Sequence, residues 1–527
     1  MRPFSLTFFL LLLLTACSSV TPLPPTSVSV VPTQTIATFS PHATLTGEWI
    51  SAGTKPDGSA VSIIISFGEA ETKLKIEPMT RTWEVSFSQE NGVVEFSASS
   101  STLEPFRQIA FIGKFSGEGF GGELNWDGRT SSVTFIPITS VEPSVLAKYE
   151  GIYHFESGRV LSIIGSPKFS TGGLQLFSQS LMMTDFESGA LRGLYPFNDY
   201  TFAVGALRAV GAPFAGRIQF ITDGQGNTTG LLWWDDVNVI TGSSISGQFA
   251  ERVQYKYEDI TFTSTDGTKL AGRLSLPESN SPLPAFVMLH GSGRVTRDNF
   301  GNKLMAHYML SRGIAILNFD KRGVGESEGV YEESASESNL QKLAEDALAG
   351  VEYLVTRPEI DAKRIGLIGG SQAGWIIPNA ASQSQQVSYF VILSGPVAST
   401  AHENRFSAYT NDGESATKYD DTKITQQMRD LKAGGFDPVP VIAELKQPGL
   451  WLWGSVDKSI PVTFSAENLQ ALMDSGKNNI SYQIFHNADH GLTISSNGLI
   501  AEIPYSPGVV FYPALTQWLT NHVLRTP

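Results

Sequence analysis

Short apolar runs separated by turn residues mark the chain from about residue 44 to 250. Segments such as Val61 to Phe67, Trp83 to Phe87 and Val93 to Phe96 are rich in β-branched and aromatic residues, and Gly, Asn, Asp and Ser separate them. This spacing is typical of antiparallel strands. Long amphipathic helical patterns are missing here, so the region is predicted to be all β.

A weak internal repeat divides this β region. Gly47-Glu48-Trp49 opens one unit, and Gly151-Ile152-Tyr153 opens the next 104 residues later. GELNWD at 122–127 parallels GLLWWD at 230–235, near the ends of the two units. We expect two copies of one small β domain, at 44–140 and 141–250, with a single larger barrel as the alternative. Trp233 is expected in a core rather than on a ligand-binding surface, and neither domain is assigned any chemistry.

The pattern changes at about residue 254. Tyr255 to Ser264 and Lys269 to Ser275 still indicate strands, but apolar runs then alternate with helical patterns. These segments are the strand 285–289, the helix 303–311, the strand 314–319, the helix 340–355 and the strand 365–368. The alternation predicts an α/β domain over 254–527, with a mostly parallel sheet covered by helices on both faces. Reactive groups of such sheets lie on loops beyond the carboxyl ends of the strands.

Composition narrows the function. The chain has 527 residues, with 37 Lys and Arg against 51 Asp and Glu, a net charge of −14. That length predicts two to four domains. A negative balance argues against nucleic acid as a partner, because phosphate binding needs a surplus of basic residues. The one Cys excludes an internal disulfide and any zinc or iron–sulfur site built from several cysteines.

That Cys lies at the end of an apolar run. Met1-Arg2-Pro3 is a short basic start, Phe8 to Leu14 is apolar, and Leu14-Thr15-Ala16-Cys17 resembles the lipobox of bacterial lipoproteins. The resemblance implies a signal peptide at 1–16 and acyl chains on Cys17, followed by a Ser/Thr/Pro-rich linker at 17–43. We therefore expect an extracytoplasmic protein, lipid-anchored to a bacterial membrane. An ordinary signal peptide with a chance Cys is the alternative.

A sharp turn follows the strand 365–368. The segment Gly369-Gly370-Ser371-Gln372-Ala373-Gly374 precedes a helical pattern, which places Ser371 between a strand and a helix. The small residues Gly369, Gly370 and Ala373 allow the tight turn of a nucleophile elbow, G-x-S-x-G, with Ala373 at its last position. Ser371 is therefore the candidate nucleophile.

A Ser hydroxyl needs a base and an acid that orients the base. Asp457 follows the strand 450–454, and His490 follows the strand 482–485, so each lies just past its own strand. The sequence thus predicts a triad of Ser371, Asp457 and His490. His486 is the less favoured base because it falls at the strand end, and Asp489 is expected to shape the His490 loop.

The segment His290-Gly291-Ser292-Gly293 closes the strand 285–289. The backbone N–H groups of Ser292 and Gln372 could converge on an oxyanion. With these four motifs, residues 254–527 resemble an α/β-hydrolase of the secreted esterase and prolyl-oligopeptidase-like branch. Residues 320–327 (DKRGVGES) resemble the loop after that group's fourth strand, and about 396–446 resemble its helical cap.

The remaining polar candidates receive structural roles. Asp320 and Arg322 are expected to pair with each other, and His307 is expected on the surface or behind the site. His486 and His490 are four apart, but a strand end and a loop do not turn such a pair toward one metal. The sequence therefore predicts no metal and no cofactor, and it leaves the oligomeric state open.

These observations predict a serine hydrolase that cleaves carboxylic esters of a small-molecule or acylated substrate through an acyl-enzyme. A peptidase of the prolyl-oligopeptidase-like type is the enzymatic alternative. A surface binding protein with an inactive hydrolase fold is a second alternative. In a third, the β domains bind a polymer whose acyl groups the hydrolase removes.

Overall fold

The computed structural model describes residues 45–525, except 57, 59, 77–80, 101–105, 117–118, 166–169, 172–173, 176–180, 206–213, 236–245, 418–419 and 500–507. The predicted signal peptide, the acylated Cys17 and nearly all of the linker lie outside the described residues. No described helix is both long enough and apolar enough to cross a membrane.

The first unit is a nine-stranded antiparallel sheet in the order β4-β3-β2-β1-β9-β8-β7-β6-β5. β4 and β5 are consecutive in the chain but lie at opposite edges of the sheet, so the chain passes from one edge to the other between them. The strands are β1 (Gly47–Thr54), β2 (Ala60–Phe67), β3 (Thr72–Ile76), β4 (Thr82–Glu84), β5 (Ser86–Glu90), β6 (Val93–Ser99), β7 (Gln108–Ser116), β8 (Gly119–Trp126) and β9 (Arg129–Ile138).

The prediction of one strand from Trp83 to Phe87 was wrong. The chain switches edges at Val85, whose N–H donates to Thr72 O at 3.0 Å. Trp83 is buried in the core with its strand β4, whereas Phe87 pairs with Phe96 in β5 and β6. An apolar run cannot reveal such a switch, because both halves bury aromatic residues in the same core.

The second unit is a closed antiparallel barrel in the order β10-β11-β14-β15-β16-β17-β18-β19, with β10 and β19 closing it. Trp233 is buried in its core. The strands, with a separate hairpin of β12 and β13, are β10 (Gly151–Phe155), β11 (Val160–Gly165), β12 (Ser170–Thr171), β13 (Leu174–Gln175), β14 (Leu181–Asp185), β15 (Leu191–Pro196), β16 (Thr201–Gly205), β17 (Gly216–Thr222), β18 (Thr228–Trp234) and β19 (Gln248–Arg252).

The third unit is an eight-stranded sheet in the order β20-β21-β23-β22-β24-β25-β26-β27. β20 and β21 pair antiparallel at one edge, and all pairs from β23 to β27 are parallel. The strands are β20 (Tyr255–Thr263), β21 (Lys269–Pro277), β22 (Leu283–Leu289), β23 (Ala315–Phe319), β24 (Ile360–Gly370), β25 (Tyr389–Leu393), β26 (Gly449–Gly454) and β27 (Ile480–Phe485).

Helices cover both faces of this sheet because successive strand residues point to opposite sides. Ala285 and Val287 pack on one face with helices α3, α4 and α8, and Phe286 and Met288 pack on the other with α2 and α9. The described helices are α1 (Pro143–Leu146), α2 (Phe300–Leu310), α3 (Glu337–Val355), α4 (Ala373–Gln383), α5 (Thr400–Thr410), α6 (Asp421–Asp430), α7 (Pro438–Glu444), α8 (Val462–Asp474) and α9 (Tyr512–Leu519).

The barrel packs against the α2–α9 face of the third sheet. Phe186 of the barrel contacts the rings of Tyr308 and Tyr512. His307 lies in the same interface, where its Nδ1 is hydrogen-bonded to Ser162 Oγ at 2.8 Å. The expectation that His307 lies on the surface was therefore wrong: only 8% of the residue is exposed. Its position on an amphipathic helix did not reveal that a second domain covers that side.

Candidate active site

The turn after β24 places Ser371 between a strand and a helix. Ser371 has a φ of +55°, a left-handed conformation that non-glycine residues rarely adopt. Its N–H donates to Leu393 O at 2.9 Å, and Gly374 N–H donates to Ser371 O at 2.8 Å. The hydrogen bonds hold the strained residue at the amino end of α4, where the helix dipole favours negative charge.

Steric crowding explains the small residues of this turn. A Cβ at Gly369 would lie 2.7 Å from Ala373 Cβ and 2.8 Å from Leu289 O. A Cβ at Gly374 would lie 2.7 Å from the backbone of Gly395. Gly374 was not among the predicted elbow residues, since its constraint comes from a segment more than 20 residues away in the chain.

Asp457 and His490 are in direct contact. His490 Nδ1 lies 2.8 Å from Asp457 Oδ2, and the carboxylate side chain is fully buried whereas the imidazole is 31% exposed. The other carboxylate oxygen, Oδ1, accepts the N–H groups of Ser459 at 2.8 Å and Ile460 at 3.1 Å. The fixed carboxylate therefore favours the tautomer in which Nδ1 donates and Nε2 is left to accept a proton.

The charge environment of His490 follows from this contact. Burial alone would lower the pKa of the imidazole, but the Asp457 carboxylate, with smaller effects from Asp489 and Asp412, raises the pKa above its ordinary value. A more basic imidazole accepts a proton more readily, provided that the pH keeps it neutral at the start.

The loop that carries His490 is held by Asp489. Its Oδ1 accepts the N–H groups of Gly491 at 2.9 Å and Thr493 at 3.0 Å. Both carboxylate oxygens also accept the Thr493 hydroxyl at 2.9 Å. His486, by contrast, is exposed at the end of β27. Asp489 thus shapes the loop, and the structure brings His490, not His486, to Asp457.

Ser371 lies at the end of β24, two strands from β26, after which Asp457 follows. All three candidate residues therefore follow carboxyl ends of parallel strands in one sheet. The structure brings Asp457 and His490 into hydrogen-bond contact. In the described part of the chain, no hydrogen bond joins Ser371 Oγ to His490.

The His290–Gly293 segment runs beside Ser371. A Cβ on Gly291 would lie 3.2 Å from Ser371 Cβ and 3.8 Å from Ser371 Oγ. Among the described residues, neither Ser292 N–H nor Gln372 N–H has a hydrogen-bond acceptor. Two unpaired donors on the two segments that flank a Ser hydroxyl are what an oxyanion requires.

The His290 side chain holds the start of this segment in place. Its Nε2 is hydrogen-bonded to Phe319 O at 2.6 Å, and the side chain is buried. Burial lowers the pKa of His290 to about 4, so the ring is neutral at physiological pH. His290 therefore ties the end of β22 to the end of β23 as a neutral donor.

The loop 320–327 forms ion pairs that differ from the predicted one. Asp320 binds Arg297 Nη1 at 2.7 Å, and Arg322 binds the buried Asp346 and also Asp266. The expected Asp320–Arg322 pair was wrong, because the two side chains find partners elsewhere in the chain. The sequence reasoning also passed over the residue between them, Lys321, which is buried beside Gly291 and Gln372.

Helices α5 to α7 lie between β25 and β26, in the segment predicted to be a cap. Thr410 Oγ1 donates to Lys458 O at 2.5 Å, which ties α5 to the loop of Asp457. Burial and the nearby Asp412 raise the pKa of Glu403 in α5 to about 7, although Ser407 and His490 oppose the shift. The cap segment therefore places the Glu403 carboxyl within electrostatic reach of His490.

The described residues contain no group of three or more His, Cys, Asp or Glu side chains arranged to hold a metal ion.

The family match lies in the third unit. Residues 301–503 match the model of the prolyl oligopeptidase family. Thiohydrolase aneE of Aspergillus aculeatus is 35% identical over 147 residues, 28% of this chain and 44% of that protein. Esterase EstD of Thermotoga maritima is 23% identical over 287 residues, 49% of this chain and 65% of that protein.

Among solved structures, esterase Pf2001 of Pyrococcus furiosus is 20% identical, with a TM-score of 0.37, over 51% of this chain and 94% of its own. The chain spans less than two thirds of the length of both curated relatives. The family match includes Ser371, Asp457 and His490.

Proposed function

We propose that this protein hydrolyses carboxylic esters through an acyl-enzyme on Ser371. The contact between buried Asp457 and His490 Nδ1, beyond the carboxyl ends of the strands where Ser371 also lies, is the observation that carries the proposal. Nucleophilic acyl transfer needs a Ser, an imidazole and a buried carboxylate that fixes the imidazole tautomer, and all three side chains follow carboxyl ends of strands in the same sheet.

The reaction begins when His490 Nε2 takes the Ser371 hydroxyl proton while Ser371 Oγ bonds to the acyl carbon. The carbonyl π electrons move to its oxygen, which becomes an oxyanion. Collapse of this intermediate breaks the bond to the alcohol oxygen, and His490 gives its proton to that oxygen. Water, deprotonated by His490, then attacks the acyl-enzyme, and Ser371 leaves with the proton.

Two donors bind the oxyanion in this proposal. Ser292 N–H and Gln372 N–H, which have no acceptor among the described residues, stabilise the negative charge at the amino end of α4. Asp457 stabilises the imidazolium that forms when His490 accepts the proton.

Peptide or aminoacyl amide hydrolysis is the second candidate, and the match of residues 301–503 to the prolyl oligopeptidase family favours it. The amine of an amide is a poorer leaving group than the alcohol of an ester, yet the same three side chains can cleave both bonds. Esters are preferred here because two of the matching relatives carry the names thiohydrolase and esterase.

The test compares p-nitrophenyl esters of increasing acyl length with aminoacyl p-nitroanilides. Wild-type protein should hydrolyse the esters, and Ser371→Ala should lower kcat by about 10³-fold or more. Wild-type turnover by the Ser371→Ala variant would refute the assignment, and a preference for the anilides would favour the peptidase.

We also propose that the protein is acylated at Cys17 and anchored by this lipid to a bacterial membrane, outside the cytoplasm. The lipobox-like segment that ends at Cys17 supports this proposal. Cys17→Ser should abolish incorporation of labelled palmitate and move the protein out of the membrane fraction. Unchanged labelling and fractionation would contradict the proposal.

A further inference from the structure

Lys321 is a buried ammonium beside the candidate oxyanion donors. It follows β23 in the loop 320–327, and only 2% of the residue is exposed. Its Nζ donates to Gly291 O at 3.0 Å and to Gln372 Oε1 at 2.8 Å. No carboxylate forms an ion pair with it within the residues that the structure describes. Burying a charge without a counter-ion lowers the stability of the folded protein, so the position of Lys321 has a cost in folding free energy.

The contact with Gly291 O controls an adjacent donor. Gly291 C=O and Ser292 N–H belong to one peptide group, which is planar and trans, so the two point in opposite directions. A fixed hydrogen bond from Lys321 Nζ to the carbonyl therefore fixes the direction of the Ser292 N–H. It also polarises the peptide group, which makes that N–H a stronger donor.

The second contact is with the side chain of Gln372, the residue whose backbone N–H is the second candidate donor. Gln372 follows the nucleophile and precedes α4. Its buried side chain ends on Lys321 Nζ, which links it across 51 residues to the loop after β23. One ammonium thus contacts both segments that carry the oxyanion donors of the proposed function.

We propose that Lys321 is a positioning residue of the oxyanion hole, which orients and polarises the Ser292 donor through Gly291 O and anchors the side chain of Gln372, the residue of the second donor, through Oε1. This inference rests on the proposed hydrolase function. Lys321 does not take a proton from Ser371; it acts through the two donor segments and through its positive charge in a buried site.

The ionisable groups around Lys321 leave its charge sensitive to pH. The centroid of the Tyr331 ring lies 5.7 Å from Lys321 Nζ. The guanidinium carbon of Arg294 lies 4.9 Å from the same centroid. His290 is neutral. Burial lowers the pKa of Lys321 to about 8. The ammonium is therefore present at neutral pH and is lost as the pH rises above about 8, which should weaken oxyanion binding.

The experiment measures kcat and KM for a p-nitrophenyl ester from pH 6 to 10 in wild-type, Lys321→Met and Lys321→Arg proteins. For Lys321→Met we expect a kcat about 10- to 100-fold lower and a KM within about twofold, since one lost oxyanion donor costs about 10²- to 10³-fold. Wild-type kcat should fall above pH about 8, and this alkaline limb should be absent in both variants. Lys321→Arg, which keeps the charge, should recover at least part of the lost kcat.

Wild-type kcat in Lys321→Met, or the same alkaline limb in that variant, would overturn the inference. Ser371→Ala separates this result from failure of the proposed function: a dead Ser371→Ala with an unaffected Lys321→Met refutes the role of Lys321 alone. Should Lys321→Met fail to fold, Gln372→Glu provides the test. Its carboxylate should raise the pKa of Lys321 and move the alkaline limb upward by about one pH unit, and an unmoved limb would overturn the inference.

Discussion

Gly189 of the barrel accepts a hydrogen bond through its carbonyl oxygen from Val509 N–H at 2.9 Å. The segment around Val509 then pairs with the loop of His490, since Ile494 N–H donates to Gly508 O and Val510 N–H donates to Leu492 O, both at 3.0 Å. A continuous backbone connection therefore runs from a turn of the barrel to the loop of the candidate base. The barrel thus contacts the loop of the candidate base through backbone atoms.

Gly189→Ala should disturb this connection. Gly189 has a φ of +74°, and a Cβ there would lie 1.8 Å from Val509 O, so the two segments must separate. We expect kcat for a p-nitrophenyl ester to fall by about 10- to 100-fold, because small displacements of a catalytic group have effects of that size. Steady-state kinetics at saturating substrate checks this.

The matched control is Gly158→Ala, in another turn of the barrel. Gly158 has a φ of +91°, but nothing lies within 4 Å of a Cβ there. Gly158→Ala also places an Ala in a left-handed conformation, but without a steric clash. We therefore expect its kcat to stay within about twofold of wild type. Equal losses in both variants would show that the Gly189–Val509 contact does not matter for the site.

Asp457→Asn should remove the fixed tautomer of His490. We expect a fall in kcat of about 10⁴-fold, as for loss of the carboxylate in comparable triads. The pKa of His490 should also drop, because the Asp457 carboxylate raises it in the wild-type protein. NMR titration of the imidazole measures the drop directly, and an unchanged His490 pKa would contradict the electrostatic role.

Substitution of the two histidines near the end of β27 should have opposite effects on ester turnover. His490→Ala should lose nearly all ester turnover, because it removes the base. His486→Ala should keep wild-type kcat, since His486 is exposed and lies before the loop that reaches Asp457. Both variants are assayed on the same ester, and the opposite pattern would assign the base to His486.

His307 predicts a pH-dependent stability of the interface between the barrel and the third sheet. Burial, with the nearby charges of Lys303 and Arg252, lowers the pKa of His307 to about 3. Between pH about 6.5 and 3 the unfolded chain therefore binds a proton that the folded protein does not. His307 then reduces the free energy of unfolding as the pH falls through this window, by at most about 1.4 kcal/mol per pH unit.

His307→Gln removes this titration and tests it. The stability advantage of wild type over the variant should shrink as the pH is lowered from 7.5 to 4.5, as measured by urea unfolding at each pH. Above pH about 6.5 the difference should be constant, because the imidazole is neutral in both states. Parallel pH profiles across the whole range would contradict the assignment of a neutral buried His307.

Local patterns located the strand ends that matter most. Asp457 and His490 each follow an apolar strand, and the Gly-rich turn around Ser371 lies directly after another. Such features depend on neighbouring residues in the chain, so they are visible in the sequence. The strand switch at Val85 was missed for the opposite reason, since the two halves of one apolar run belong to opposite sheet edges.

The contacts between distant segments could not be predicted. Lys321 meets Gln372, Asp320 meets Arg297, and His307 meets Ser162 of another unit. Each partner choice depends on how loops and domains pack, and a polar residue in isolation offers several equally favourable partners. The sequence therefore indicates which side chains carry chemistry more readily than which ones hold them in place.

Covalent labelling tests the central claim most directly. The intact wild-type protein is treated with a fluorophosphonate, digested, and its modified peptide is identified by mass spectrometry. The account predicts one labelled peptide with the adduct on Ser371, formed much more slowly in His490→Ala. An unlabelled protein, or an adduct on a different serine, would contradict it.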